Sequence, residues 1–139
     1  MQQTQIEELI TSALSQRRFS YAPYSGFRVG AALLAENGRI YTGCNIENAA
    51  YTPSNCGERT AFFKAVSEGV RSFRAICVTG GKQEEPSGFA APCGVCRQVM
   101  MEFCDPDSFL IILARSVEDY EIHTLKELLP MGFGPADLA

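Results

Sequence analysis

The chain has 139 residues, 46% of them hydrophobic and 20% charged, and a net charge of −4. A domain of ~150 residues hides roughly 70% of its unfolded surface, so this length supports a core without disulfide staples. The acidic balance and the scattered basic residues, with only Arg17 and Arg18 adjacent, argue against a nucleic-acid footprint, and no apolar run approaches the ~20 residues that span a bilayer. In chain order, Ile6, Leu9, Ile10, Ala13 and Leu14 recur at helical spacing and predict an amphipathic helix over residues 4–17. Residues 19–26 (FSYAPYSG) are turn-rich. Residues 27–36 form an apolar run that reads as a buried strand. Asn37-Gly38 follows, and residues 39–44 resume the strand pattern, which is a strong hairpin signal. A polar loop over 45–55 leads to a helix over 56–68, capped by Ser54 or Asn55 and ended by Gly69. A strand is expected over 73–79, a loop over 80–91, and a second helix over 94–103, opened by Pro92. A strand over 109–114, a short edge strand over 121–124 and a helical turn over 125–129 complete the pattern. Helices alternating with apolar strands predict a single domain over 1–139. Its expected fold is a three-layer α/β/α sandwich around a mixed five-stranded sheet, with an antiparallel first hairpin and parallel later crossovers.

The opening MQQTQIEELI lacks a basic n-region and a long apolar h-region, so no secretory signal is expected. The six cysteines are then expected in a reducing compartment, the cytoplasm, where thiols favour metal or catalysis over disulfides. Three of them stand out. Cys56-Gly57-Glu58 precedes Pro92-Cys93-x-x-Cys96, and both segments fall at predicted helix starts. Three thiolates can hold zinc and leave its fourth tetrahedral position open for water. Glu58, two residues from a ligand, is the candidate to move that water's protons; an early-helix glutamate is the alternative. A closed structural site would need a fourth ligand. The single histidine, His123, lies far along the chain, and Cys44, Cys77 and Cys104 sit in apolar contexts that suit inert core thiols. A divalent ion with three thiolates keeps one negative charge in excess, which would weaken its pull on water. Two helix N-termini and the guanidinium of Arg59 are the readable sources of compensation.

These residues carry a family resemblance. Cys56-x-Glu58 with Pro92-Cys93-x-x-Cys96 matches the signature of zinc deaminases in its three-cysteine form. Residues 45–51 (NIENAAY), residues 27–31 (FRVGA) and the ending Leu128-Leu129-Pro130 with Phe133-Gly134-Pro135 resemble the small homotetrameric cytidine deaminases over nearly the whole chain. The resemblance implies one Zn²⁺ per subunit on Cys56, Cys93 and Cys96, with Glu58 shuttling protons. It implies Asn45 and Glu47 on the ribose hydroxyls, Phe27 on the base, and the Gly57 N–H on the pyrimidine O2. Many relatives have alanine at that last position, and glycine keeps the N–H. Tyr51 and Phe133 would reach a neighbouring subunit's site. The implied partner is a small nucleoside, with no nucleic acid and no membrane. Read as residues alone, Asn45 and Glu47 could be turn formers, Phe27 and Phe133 core, and Tyr24 structural. Rival functions are a blasticidin-type deaminase, against which the Asn45/Glu47 pair argues, a polynucleotide-editing deaminase, and a zinc-stabilised domain without catalysis.

Overall fold

A computed structural model describes residues 1–139. Helix α1 spans Gln3–Gln16, followed by strands β1 (Arg28–Ala35) and β2 (Ile40–Cys44), helix α2 (Gly57–Ser67) and strand β3 (Phe73–Gly81). Helix α3 (Gly94–Phe103), strands β4 (Leu110–Ser116) and β5 (Asp119–Thr124), and the short helix α4 (Leu125–Leu128) complete the order. The strands form one mixed sheet in the order β2-β1-β3-β4-β5. Strands β3 and β4 are parallel, and every other pairing is antiparallel. The β3–α3–β4 crossover is therefore parallel, as expected. The β2–α2–β3 crossover is parallel too, since both strands run antiparallel to β1, which lies between them.

The sheet is covered on both faces, which explains why its central strands read as unbroken apolar runs. Side chains alternate across a strand. In β1, Ala32 and Leu34 face α1, whose stripe Ile6, Leu9, Ile10 and Ala13 packs on them with Ala75, Cys77 and Ile112. Ala31, Leu33 and Ala35 face the other way, with Ile76, Val78, Ile111 and Leu113. That face packs on Ala61, Phe62 and Ala65 of α2 and on Cys96 and Met100 of α3. The thiol at residue 96 is thus anchored in the core on the α2/α3 side. Helix α1 lies very close to β1: a Cβ on Gly30 would sit 1.9 Å from the Ala13 carbonyl oxygen.

Three boundaries depart from expectation. The hairpin closes through a three-residue loop, with Gly38 donating to Ala35 O and Ala35 to Arg39 O. Only Gly38, at φ +89°, is left-handed there, so this is a bulged turn and not a two-residue one. Helix α2 is not capped by Ser54 or Asn55. Its N-cap is Cys56, in extended conformation and with no side-chain cap bond. Strand β3 continues through Gly80 and Gly81, which pair with Val29 and Arg28, although two glycines and a polar stretch beyond suggested a loop. The partner strand supplies hydrogen bonds that local propensity does not foresee.

Candidate metal centre and cleft

Cys56 and Cys93 are built alike. Each is the N-cap of a helix, each has extended backbone, and each accepts the first helical bond at its carbonyl, from Thr60 N and Arg97 N, both at 3.0 Å. Neither sulfur caps its own helix, so both are free to face a shared point, while the helix N-termini aim partial positive charge at it. Cys96 lies one turn into α3 and is buried. The sulfurs of Cys56 and Cys93 are 3.7 Å apart, and those of Cys93 and Cys96 are 3.6 Å apart. A tetrahedral ion with bonds of about 2.3 Å would separate its sulfurs by about 3.8 Å, so the trio fits zinc. No other His, Cys, Asp or Glu joins the cluster. His123 bonds Glu121 instead, and Cys44, Cys77 and Cys104 are buried away from it. The candidate ligand set therefore stays at three.

Electrostatics bind the cluster together. Sulfurs this close cannot all ionise without a cation between them. The hydrogen bond from Cys96, then that from Arg59, brings the Cys56 thiol down to about 5, against the opposing effect of burial. The same bond to Cys56, with burial and the charge of Glu58, pushes Cys96 well above the ordinary thiol range. Arg59 Nη2 donates to Cys56 Sγ at 3.2 Å. Burial opposes the guanidinium's charge, but the Cys56 and Cys96 sulfurs outweigh it and hold its pKa up. Glu58 is only 4% exposed, and burial is the main cause of its rise to about 7.

The cluster opens into a cleft of about 280 Å³ that Phe27, Asn45, Glu47, Glu58, Arg59 and Cys93 line together with apolar Val29, Val78 and Ala90. Gly57 lies in the wall behind it, where a Cβ would approach Val29 Cγ1 at 3.1 Å. Tyr51 and Phe133 stand outside the cleft. Tyr51 is 72% exposed in a neighbouring depression with Tyr24 and Ser25, and Phe133 is 57% exposed beside Gln98 and Glu102.

Asn45 and Glu47 are already held by the protein. Asn45 Oδ1 accepts from Ser20 Oγ and, at 2.9 Å, from the Val29 N–H, while Nδ2 donates to Phe27 O at 2.8 Å. The backbone donor at Val29 settles which end of the amide is oxygen. One Nδ2 hydrogen remains for a ligand. Glu47 accepts from the N–H groups of Tyr24 and Ser25 at 3.0 and 3.1 Å, and from Ser25 Oγ at 2.5 Å. The hydroxyl of Ser25 also accepts from the Phe27 N–H at 3.0 Å. These bonds, the Ser25 hydroxyl first, hold the carboxyl of Glu47 below its usual range.

Two contributors were not singled out from the sequence. Ser25 ties Glu47 to Phe27, and the PYSG turn was its one visible signal. Arg17 is 4% exposed and donates to the carbonyls of Arg28, Gly81, Gln83 and Glu84, so it pins the loop that leads to Cys93. Nothing in the sequence distinguishes it from an exposed helix-end arginine.

Residues 3–112 match the family model described as the cytidine and deoxycytidylate deaminase zinc-binding region. A cytidine deaminase of Sporosarcina psychrophila is 52% identical over 134 residues, covering 96% of this chain and 95% of that protein. One of Halalkalibacterium halodurans is 45% identical over 130 residues, covering 94% and 95%. The crystal structure of cytidine deaminase from Burkholderia pseudomallei superposes with a TM-score of 0.82 at 44% identity, over 91% of this chain and 97% of that one. The matched zinc-binding region contains all three cysteines of the cluster, which could hold a zinc ion. The chain therefore belongs to the cytidine and deoxycytidylate deaminase zinc-binding family.

Proposed function

We propose that the protein hydrolyses cytidine, and 2′-deoxycytidine, to uridine or deoxyuridine and ammonia. The observation that carries this reading is a buried carboxylate, Glu58, on the same cleft as a three-sulfur metal cluster. The activity named for relatives 52% and 45% identical supports it.

When bound, zinc supplies Lewis acidity, which brings the pKa of a coordinated water toward neutrality. The chain's own residues do the rest. Glu58 takes the water's proton and delivers it to ring N3, which makes C4 electrophilic. The oxygen bonds to C4. Glu58 then carries the second proton to the exocyclic amino group, whose C–N bond breaks to release ammonia. A carboxyl raised toward 7 by burial is suited to both accepting and giving a proton near neutral pH. Phe27 packs on the base, the Gly57 N–H meets O2, and Asn45 and Glu47 hold the ribose hydroxyls. Their prior bonding to the protein fixes their position and removes part of the ordering cost of binding. Arg59 offsets the excess negative charge of the ligand set.

We further propose a homotetramer in which Tyr51 and Phe133 complete a neighbour's cleft. Both are exposed and absent from their own, which supports that role. We also propose a cytoplasmic place in pyrimidine salvage, a reading that a nucleoside substrate and six free cysteines support. No helix of the chain is long and apolar enough to cross a membrane.

The test is loss of cytidine absorbance with and without a zinc chelator, alongside Glu58→Gln and sizing of the native assembly. Chelation should abolish turnover. Glu58→Gln should lower it by at least ~100-fold while zinc stays bound. Stoichiometric zinc with no turnover would instead favour a structural domain.

A further inference from the structure

We propose that Gly80 sets the width of the substrate cleft and so acts as a specificity-determining position. The proposal rests on the reading that this cleft takes the pyrimidine. Gly80 is buried near the end of β3, opposite Val29 of β1. Its backbone is not left-handed, so its conformation alone does not call for glycine. What calls for glycine is space. A Cβ there would lie 2.8 Å from Phe27 Cε1, 2.9 Å from Ala90 Cβ and 3.3 Å from Val29 Cγ2. All three of those residues line the cleft, and Gly80 does not. The three side chains therefore stand between Gly80 and the space a ligand would fill.

Carbon atoms in contact prefer about 3.5–4.0 Å, so one added methyl must move its neighbours by several tenths of an ångström. Which neighbour yields decides the outcome. Val29 is held from both sides, paired with Gly80 of β3 and hydrogen-bonded through its backbone N–H and carbonyl to Asn45. Phe27 precedes β1, and the atom it presents is the outer edge of a half-exposed ring. Ala90 belongs to the segment between β3 and α3. Phe27 and Ala90 are thus the two that give way, and moving off Gly80 takes them toward the cleft. The cost of the methyl should appear in ligand binding and not in the fold.

The experiment is Gly80→Ala, compared with the wild-type holoenzyme on cytidine and on a ring-methylated cytidine. The expected result is a KM for cytidine raised about tenfold, the scale of one methyl in an apolar pocket. The change in kcat should be smaller, zinc stoichiometry unchanged, and the penalty against the methylated base larger. Ala90→Gly in the Gly80→Ala background should recover part of the rise in KM, since it relieves the contact with residue 90 and leaves that with Phe27. Ala90→Val, which narrows the cleft from the loop side without touching β3, should reproduce the rise and decides the matter if Gly80→Ala does not fold. Unchanged KM in the folded variants overturns the role of Gly80. Absence of cytidine turnover in the wild type overturns the deaminase reading itself, so the two failures are distinct.

Discussion

Replacing Arg59 by glutamine tests whether charge compensation at the metal is built into the chain. The guanidinium donates to Cys56 Sγ at 3.2 Å, and its Nε is buried without a partner. Glutamine removes the positive charge and the donor to sulfur. A hydrogen bond to a charged group contributes about 1.5–3 kcal/mol. At about 1.4 kcal/mol per decade, that loss weakens zinc binding by roughly 10- to 150-fold. Changes to groups that hydrogen-bond metal ligands typically cost about 10- to 100-fold, which agrees. The fold should suffer little, because the substitution also removes the orphaned Nε donor. Competition against a chromophoric chelator measures the affinity, thermal unfolding of the zinc-loaded protein checks the fold, and Arg59→Lys serves as control. Lysine restores charge without the planar fork and should fall between the two. The charge of Arg59 does not titrate near neutrality, so its contribution should be constant across pH 6–9. Zinc affinity within twofold of wild type in Arg59→Gln, with normal turnover, would refute the reasoning.

Ser25→Ala should raise KM for cytidine severalfold with little change in kcat, because Glu47 and Phe27 lose their common tether. Ser25 holds the Glu47 carboxyl down, so its charge persists as pH falls and is lost only below the ordinary carboxylate range. In Ser25→Ala that loss should begin at higher pH, as read by NMR titration of the Glu47 carboxyl; coincident titrations would contradict the tether. Zinc affinity should weaken as pH falls, since Cys96 is held protonated at neutrality and must release its proton to solvent for its sulfur to bind the ion. A chelator competition that is flat between pH 6 and 8 would count against the three-thiolate site. Arg17→Met should destabilise the protein by about 3 kcal/mol or more, because four carbonyls lose their buried donor. That corresponds to a melting temperature lower by roughly 10 °C, and an unchanged value would show that water replaces the guanidinium.

Local pattern was a reliable guide wherever the physics is local. The stripe of α1, the apolar runs of β1 and β4, and the Pro92-led start of α3 all follow from spacing and propensity. The Cys93/Cys96 half-site is local too, because two residues three apart share a helical turn. Errors fell where another segment supplies the partner. Gly80 and Gly81 are strand because β1 pairs with them. Cys56 takes the cap position because its backbone must turn the sulfur toward Cys93, 37 residues away.

The order of residues carried the element sequence, the Cys93/Cys96 pair and the carboxylate two positions after Cys56, since each is written in spacing of a few positions. Folding brings Cys56 to Cys93, buries Glu58, ties Asn45 and Glu47 to the turn before β1, sets Arg17 against the loop before Cys93, and leaves Tyr51 and Phe133 outside their own cleft. Burial, convergence of distant hydrogen-bond partners and steric room arise when remote segments meet in space, and no local periodicity encodes them.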